Sequence, residues 1–263
     1  MKKFSILFLS LFILASCSSD DDDNPRLELI DRDALIALDK ANPNNTIGWD
    51  HEEEDLSKWN GVTVENNRVT GIVLREKGIK VLPKAIYALT QLDSLILPKN
   101  GIERLPTEIG ELTSLKKLDL SVNLLSQLPK EFSRLKMSLE HLSMAGNNFE
   151  VYPKAISGFE SLEYLSVSTN KLVELPAEIG GLTNLKELLI QGNKLLTLPE
   201  RIGNLSKLEI LQLYWNDFES LPNEMGKLES LKEIYISGNQ DDLFTQSFED
   251  LINKNQVKVI GVF

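Results

Sequence analysis

The chain has 263 residues, of which 42% are hydrophobic and 25% charged, and this composition fits one folded domain with a buried core. Its formal net charge is −11, which disfavours nucleic acid and anionic lipid as partners of the domain, because both are themselves negatively charged. The acidic balance suits a basic protein partner or simple solubility.

Residues 1–16 have the pattern of a secretory signal peptide. Met1-Lys2-Lys3 is positively charged, and the apolar run over 4–14 is too short to span a membrane. The next residues, Leu14-Ala15-Ser16-Cys17, resemble the lipobox of bacterial lipoproteins. The resemblance implies cleavage before Cys17 and a lipid on its thiol, through which the chain would contact a membrane. Cys17 is the only cysteine, which favours this role over that of a buried free thiol.

An acidic segment, residues 17–26, follows and contains four consecutive aspartates from Asp20 to Asp23. One interpretation is a solvated tether, because like charges in a row repel one another and extend the chain. The other is an address, because acidic runs just after the lipidated cysteine resemble the surface-export signal of some Gram-negative lipoproteins. This second interpretation, which we favour, predicts a lipid-anchored protein of the bacterial outer membrane that faces the cell exterior.

An N-terminal cap is predicted over residues 27–67. Asp31 is the predicted N-cap of a helix from Arg32 to Ala41, and Pro43 would end that helix. Two tryptophans, Trp49 and Trp59, flank a charged stretch and precede the first repeat.

Seven asparagines then recur every 23 residues, with a single gap of 24, inside one apolar frame. They are Asn100, Asn123, Asn147, Asn170, Asn193, Asn216 and Asn239. Around Asn193 the frame reads Leu185-x-x-Leu188-x-Ile190-x-x-Asn193-x-Leu195-x-x-Leu198-Pro199-x-x-Ile202. A fixed period of this length is typical of a solenoid.

Each part of the frame has a physical role. Alternating Leu-x-Leu predicts a short strand with one buried face, and the asparagine after it can bond the backbone of its own and the neighbouring coil. Leu-Pro interrupts the regular structure because proline has no N–H, and Ile three residues later has the spacing of a short helix or 3₁₀ turn. One coil cannot bury its leucines alone, so the fold requires several stacked coils.

The frame resembles the leucine-rich repeat family, in its 23-residue form with Leu-Pro-x-x-Ile, over residues 68–245. The resemblance implies an α/β fold of about eight coils. This is a curved right-handed solenoid with a parallel sheet on its concave face and short helical, 3₁₀ or irregular segments on its convex face. In the first coil Lys77 replaces the asparagine. The cap resembles that of plant extracellular leucine-rich repeat proteins, which cysteines usually staple. Since no cysteine is present there, Trp49 and Trp59 are expected to anchor it by apolar burial.

Residues 246–263 are predicted to close the array at its C-terminal end. A polar stretch from Ser247 to Asn253 has helical character. The last run, Val257 to Phe263, alternates and is β-branched, which predicts an edge strand.

Register predicts which side chains the concave face presents. With the asparagine as position 0, positions −5 and −3 face the core, so positions −6, −4 and −2 face the concave surface. In the middle coils these positions hold the small residues Ser121, Ser143, Ala145, Ser166 and Ser168. In the later coils they hold large residues, and with the rim residue Trp215 these form the predicted partner-binding surface: Tyr164, Leu189, Ile210, Gln212, Tyr214, Trp215 and Tyr235.

Two readings of this surface stay open. Grouped aromatic and aliphatic side chains on adjacent strands are typical of interface hot spots, but β-propensity alone also favours Tyr and Ile on strands. At the other end of the array Pro98, also at position −2, is expected to remove one hydrogen bond of the sheet.

The sequence offers little for catalysis. It lacks nucleotide-binding glycine loops and a His-Glu-x-x-His motif, and its only histidines are His51 and His141. His51 lies beside an acidic run and could bind a cation, although a solvated charged loop is the better interpretation. We therefore expect neither enzymatic activity nor a cofactor.

The sequence is best interpreted as a surface-anchored, non-enzymatic module that binds a protein ligand through its concave face. Two other interpretations stay open: a structural or spacer protein of the envelope, and an accessory lipoprotein that binds glycan, because Tyr and Trp can stack on sugar rings.

Overall fold

The computed structural model describes residues 25–240 and 243–261, which form a curved solenoid of stacked coils. The predicted signal peptide, Cys17 and most of the predicted tether lie outside these residues. One ten-stranded sheet runs through the described part in the sequential order β1 to β10. Its strands are β1 (Val62–Glu65), β2 (Arg68–Val73), β3 (Ser94–Ile96), β4 (Lys117–Asp119), β5 (His141–Ser143), β6 (Tyr164–Ser166), β7 (Glu187–Leu189), β8 (Ile210–Gln212), β9 (Glu233–Tyr235) and β10 (Lys258–Ile260). Two α-helices, α1 (Pro25–Ala41) and α2 (Gln246–Asn255), lie at the two ends. Neither helix is long and apolar enough to cross a membrane.

The sheet is parallel from β2 to β10, as the sequence predicts, and the leucine or isoleucine at position −5 of each coil pairs with its equivalent in the next. Leu165, Leu188 and Leu211 are fully buried in this row, which confirms the predicted register. The first pair differs, because β1 runs antiparallel to β2. Asn66 and Asn67 join these two strands with φ values of 50° and 56°, the left-handed conformation that tight hairpin turns require.

Short 3₁₀ turns form the convex side, as predicted, and seven of those described begin directly after a proline. They span Lys84–Ala88, Thr107–Glu111, Lys130–Met137, Lys154–Ile156, Ala177–Gly181, Glu200–Asn204 and Asn223–Lys227, with an eighth at Leu56–Lys58 in the cap. The apolar residue three positions after each proline points into the core, and Ile109, Ile179 and Ile202 are fully buried. Proline suits this place because the first N–H of a helical turn has no partner within the turn.

The asparagines form the predicted ladder, which is buried at the five inner positions and partly exposed at Asn100 and Asn239. The Nδ2 of Asn170 donates to the carbonyl of Val167 in its own coil and to that of Met144 in the preceding coil, both at 3.0 Å. Its Oδ1 accepts the N–H of Phe149 at 3.1 Å, also in the preceding coil. The same bonds recur at Asn123 and Asn193, so each asparagine joins its own coil to the one before it.

The predicted helix N-cap is wrong. Helix α1 begins at Pro25, seven residues before the predicted first helical residue Arg32, and Asp31 lies inside it. Asp31 is fully buried and accepts hydrogen bonds from the Arg68 side chain at 3.0 Å and from the Val69 N–H at 2.8 Å. Its carboxylate therefore ties the capping helix to β2.

The cap is anchored without cysteines, as expected. Trp49 and Trp59 are buried with ring centroids 5.1 Å apart, and their indole N–H groups donate to the carbonyls of Asn60 and Glu53. The sequence gives no hint of a third anchor, Asn42. Its buried side chain donates to the carbonyls of Leu38 and Val81 and accepts the N–H groups of Lys80 and Val81, so it ties α1 to the first coil.

The C-terminal end is closed as predicted by a helix and a strand. Helix α2 packs on the last 3₁₀ turn, and β10 pairs in parallel with β9. Phe244 and Phe248 meet edge to face there with centroids 5.3 Å apart. Residues 262 and 263 of the predicted edge strand lie outside the described part.

Candidate binding surface on the concave face

The concave surface of β7 to β9 is a grid of three strands and three rows. Strand pairing places Glu187, Ile210 and Glu233 in one row and Leu189, Gln212 and Tyr235 in the next. The third row, at position −2, holds Gln191, Tyr214 and Ser237. All nine side chains are partly buried, while Leu188, Leu211 and Ile234 beneath them are fully buried. We call these nine residues the concave grid.

An aromatic pair borders the concave grid at its rim. The rings of Tyr214 and Trp215 meet edge to face with centroids 5.1 Å apart, and Trp215 is 68% exposed. Trp215 has φ of 54°, and its indole lies over the backbone of the next coil. A Cβ on Gly238 would lie 2.6 Å from Trp215 Cδ1, so only glycine at that position allows this indole placement.

The row at position −6 carries two carboxylates, Glu187 and Glu233, which differ in their partners. The Tyr235 hydroxyl donates to the Glu233 carboxylate at 2.7 Å, and this bond holds the pKa of Glu233 below its ordinary value and raises the pKa of Tyr235. Lys258 lies 3.6 Å from the same carboxylate. Glu187 forms no ion pair with any residue that the structure describes. The surface thus runs from the carboxylates of Glu187 and Glu233 at position −6 to the rings of Tyr214 at position −2 and Trp215 on the rim.

The middle coils differ from the prediction. Ser143, Ser166 and Ser168 do not offer hydroxyls to a partner, because all three are buried. On the concave side of a curved sheet the side chains converge, and these short ones lie below taller neighbours such as Tyr164. Ser166 and Ser168 instead share a hydrogen bond at 3.1 Å.

Tyr164 lies one strand away from the concave grid and pairs across strands with Glu187. Its ring stacks on His141 with centroids 4.0 Å apart and planes 5° from parallel. Burial lowers the pKa of His141 and raises that of Tyr164, which favours the uncharged form of both rings. The pair extends the surface toward the middle coils as a flat, neutral wall.

Pro98 does not have its predicted cost. At position −2 of the other described coils, no N–H donates to a backbone carbonyl of a neighbouring coil, and that of Ser121 bonds the Asp119 side chain. The inter-coil bonds come from positions −3 and −1, as with Leu97 and Lys99. A proline at position −2 therefore removes no bond of the sheet.

The predicted site residues are thus largely brought together. Six of the seven, Leu189, Ile210, Gln212, Tyr214, Trp215 and Tyr235, lie in the concave grid or on its rim, and Tyr164 adjoins it. None of the six is fully exposed, and only Trp215 is mostly so. The predicted site omits Glu187, Gln191 and Glu233, although the same register places them on this face, because large aromatic and aliphatic side chains were the signal for a binding surface.

His51 lies far from this surface, in the N-terminal cap. Its Nε2 is 2.9 Å from Asp39 Oδ2, and its ring stacks on Trp59 at 5.7 Å. It is therefore a packed residue of the cap rather than part of a loose charged loop. Within residues 25–240 and 243–261, no three His, Cys, Asp or Glu side chains are grouped to hold a metal ion.

Several solved structures are similar to this chain. A leucine-rich repeat protein of Leptospira interrogans is 29% identical with a TM-score of 0.55 over 73% of this chain, which spans 60% of that protein. PEPR1–AtPEP1 is 27% identical with a TM-score of 0.64 over 80% of this chain, and the plant peptide hormone receptor RGFR1 in complex with RGF2 is 26% identical with a TM-score of 0.50 over 64%. This chain spans only 31% of each of those two.

A plant ice-binding protein shares the fold alone, at 24% identity and a TM-score of 0.58 over 81% of this chain and 64% of that one. No curated protein sequence matches the chain. Two family profiles match adjoining parts of the chain: "Leucine rich repeat" matches residues 90–149, and "Leucine-rich repeat region" matches residues 150–262. Together they cover well over half of the chain, and their range includes every strand of the concave grid. The chain belongs to the leucine-rich repeat family.

Proposed function

We propose that this chain is a non-enzymatic binding module whose concave grid, with the Tyr214–Trp215 rim, binds a protein ligand. The observation that carries the proposal is the grouping of large side chains on the adjacent strands β7 to β9, bordered at the rim by the Tyr214–Trp215 pair. Large rigid side chains gathered on one surface are typical of binding hot spots.

The comparisons support a peptide or protein as the ligand class. RGFR1 is a peptide hormone receptor in complex with RGF2, and its solenoid superposes on this one over 64% of the chain. The acidic net charge of −11 disfavours polyanionic ligands on the same surface. This chain spans only part of these proteins. We therefore propose for it only the class of their ligands, a peptide or protein, and not the individual ligands.

The test is a double variant, Tyr214→Ala with Tyr235→Ala. Neither tyrosine reaches the core, so the fold is expected to remain, while loss of each hot-spot tyrosine weakens binding by about 2 kcal/mol, roughly thirtyfold. Residues 25–263 serve as bait in extracts of the growth environment, and affinity for each captured protein is then measured by calorimetry with wild type and variant.

A matched control removes the same kind of exposed apolar surface elsewhere. The control variant is Val173→Ala with Leu196→Ala. These side chains lie three residues after Asn170 and Asn193, outside the concave grid, and are 56% and 49% exposed. It is expected to leave binding unchanged. A folded tyrosine variant that binds every captured protein as tightly as wild type would refute the proposal. Binding confined to oligosaccharides on a glycan array would favour the glycan alternative, and no ligand of either kind would favour a spacer role.

We also propose that the module is lipid-anchored at Cys17 in the outer membrane and faces the cell exterior. The lipobox-like Leu14-Ala15-Ser16-Cys17 and the aspartates from Asp20 to Asp23 support this location. The segment between Cys17 and helix α1, which begins at Pro25, is short, so the solenoid would stay close to the bilayer. In an extended chain, eight residues span roughly 26 Å.

A further inference from the structure

We propose that the concave grid recognises a lysine or arginine of the partner protein, with the cationic end between Glu187 and Glu233 and the alkyl stem on Ile210. The inference rests on the proposed function and specifies the chemistry of the ligand. The partner is thus a basic segment rather than a purely apolar one.

Strand register provides the geometry. Ile210 pairs with Glu187 on one side and with Glu233 on the other, so the two carboxylates flank one aliphatic side chain. Adjacent strands lie about 4.8 Å apart, which puts the two glutamate Cα atoms roughly 10 Å from each other. Glutamate side chains on a concave face lean toward each other, so both carboxylates can reach one cation above Ile210.

Glu187 has no cation within the described residues to neutralise it, and Glu233 is neutralised only in part, by Lys258. On the adjoining rim, Glu163 pairs with Lys186 at 2.8 Å and Glu209 pairs with Lys232 at 2.5 Å. Glu187 has no such cation among the described residues. Glu233 is held ionised by the Tyr235 hydroxyl, and its contact with Lys258 is long, at 3.6 Å.

The surroundings suit a long basic side chain. Lysine and arginine bury their methylene stems along apolar surface while the charged end stays polar, and Ile210 and Leu189 offer that surface. The Tyr235 ring lies in the next row, within reach of a guanidinium for a cation–π contact. Gln191 Oε1 is buried with no hydrogen-bond donor among the described residues, so the same surface also has an acceptor that lacks an N–H.

Other cationic occupants fit less well. Two carboxylates about 10 Å apart at the Cα atoms do not make the six to eight oxygen ligands of a calcium site. The described residues also contain no third metal-binding side chain grouped with them. A flexible peptide cation needs only one or two carboxylates and gains from partial burial, because the lower local dielectric strengthens the attraction.

The test uses random 12-residue peptides displayed on phage and selected on the immobilised full chain. The tightest peptide is synthesised with and without its positive charge, by citrulline for arginine or acetyl-lysine for lysine. Both forms are then measured against wild type, Glu187→Gln with Glu233→Gln, each single variant, and the matched control Glu163→Gln with Glu209→Gln. The control removes the same two charges from the adjoining rim, and circular dichroism checks the fold of every variant.

Selected peptides are expected to be enriched in lysine or arginine, and removal of that charge is expected to weaken wild-type binding about tenfold. The Glu187/Glu233 variant should weaken binding to a similar extent and abolish the difference between the two peptide forms. The control should stay within about twofold of wild type, since exposed ion pairs contribute little. High salt should weaken wild-type binding and leave that of the Glu187/Glu233 variant nearly constant.

Four results would overturn the inference. Selected peptides without enrichment in basic residues would refute recognition of a lysine or arginine, and so would equal losses of affinity in the Glu187/Glu233 variant and its control. The proposed function would still stand in both cases. Peptides whose binding is insensitive to Tyr214→Ala with Tyr235→Ala would show that the concave grid is not the binding surface, and the proposed function would fall as well. A library that yields no peptide above background counts against both.

Discussion

At the scale of single residues, the contribution of a ladder asparagine to stability can be compared directly with that of Lys77, which takes the asparagine position in the first coil. Asn170 bonds backbone groups of two coils from a buried position, whereas Lys77 at the first coil reaches Thr46 with an exposed amine. Asn170→Ala leaves buried N–H and C=O groups unpaired and is expected to cost about 1–3 kcal/mol. Lys77→Ala is expected to cost much less. The urea midpoints of the two variants and of wild type check this, and equal shifts at both sites would contradict it.

A second residue-level feature is a column of left-handed residues just before each asparagine. Position −1 has positive φ in every described coil, and three of these residues are Val122, Thr169 and Trp215, at 53°, 51° and 54°. β-Branched and bulky side chains are rare in this conformation, because the Cβ crowds the following carbonyl at a cost of about 1–2 kcal/mol. The column is thus held in place by the hydrogen bonds around it rather than by residue preference.

Relief of this strain is testable at Val122. Asparagine tolerates the left-handed conformation, so Val122→Asn is expected to raise the free energy of unfolding by about 0.5–1 kcal/mol. The matched control is Val173→Asn, because Val173 is similarly exposed, at 56% against 50%, and has no positive φ. Chemical denaturation measures both. A stabilisation that is the same at the two sites would show that surface polarity, not backbone strain, is responsible.

The sequence predicts the ladder but not this column, and the reason lies in the residues themselves. Asparagine occupies its position in seven coils, while position −1 holds Glu76, Lys99, Val122, Gly146, Thr169, Gly192, Trp215 and Gly238. No shared side-chain property signals the conformation. In the concave grid the same limit applies, since register places each side chain on the right face but does not tell how deeply its neighbours cover it.

At the scale of elements, the N-terminal cap departs most from the sequence prediction. Local sequence preferences predict Asp31 as the N-cap of the helix. In the structure α1 starts at Pro25, a residue suited to the first helical position. The long-range contact of Asp31 with Arg68, 37 residues away, has no local signature. Trp49 and Trp59 were predictable because large apolar residues in a segment without cysteines must be buried to hold it.

The Asp31–Arg68 pair makes the third prediction. Asp31→Asn is expected to cost about 2–3 kcal/mol, because it leaves the Arg68 guanidinium, itself only 15% exposed, without its charged partner. Because coils interact only with their neighbours, the loss should be local. Hydrogen exchange should quicken in α1, β1 and β2 and stay unchanged beyond β5. The control is Asp33→Asn on the exposed face of the same helix, which should alter neither.

At the scale of the whole molecule, the repeat frame determines the architecture so strongly that an irregular coil does not disturb it. The one gap of 24 residues falls between Asn123 and Asn147. The extra residue is accommodated in the longest 3₁₀ segment, Lys130–Met137, and Lys117 still pairs with His141 in the sheet. Which ligand the finished solenoid binds is a different matter, because a fold of this kind hosts many surfaces.

The proposed location of the molecule makes the fourth prediction. Cys17→Ser removes the only thiol available for lipid attachment and is expected to release the protein from the membrane fraction. Replacement of the four aspartates from Asp20 to Asp23 by alanine is expected to leave the protein in the membrane but hidden from protease added to intact cells. Immunoblots of fractionated and protease-treated cells distinguish these outcomes. An alanine variant that stays fully accessible would rule out the export address.

The asparagine ladder has a direction, and this has a consequence for how the chain is made. Each asparagine completes the coil before it: Asn123 takes the N–H of Ile102 and gives its own N–H to the carbonyl of Leu97. A coil leaving the ribosome therefore waits for 23 more residues, about 1–5 s at 5–20 residues per second, before its closing bonds exist. Order spreads from the cap toward the C-terminus one repeat behind the growing chain. In the last coil, β10 takes the place of a further repeat in the sheet: the N–H of Ile236 donates to the carbonyl of Ile260, as the N–H of Leu213 does to that of Tyr235. A chain released before β10 is synthesised would thus carry an open end, on which a second unfinished solenoid could stack.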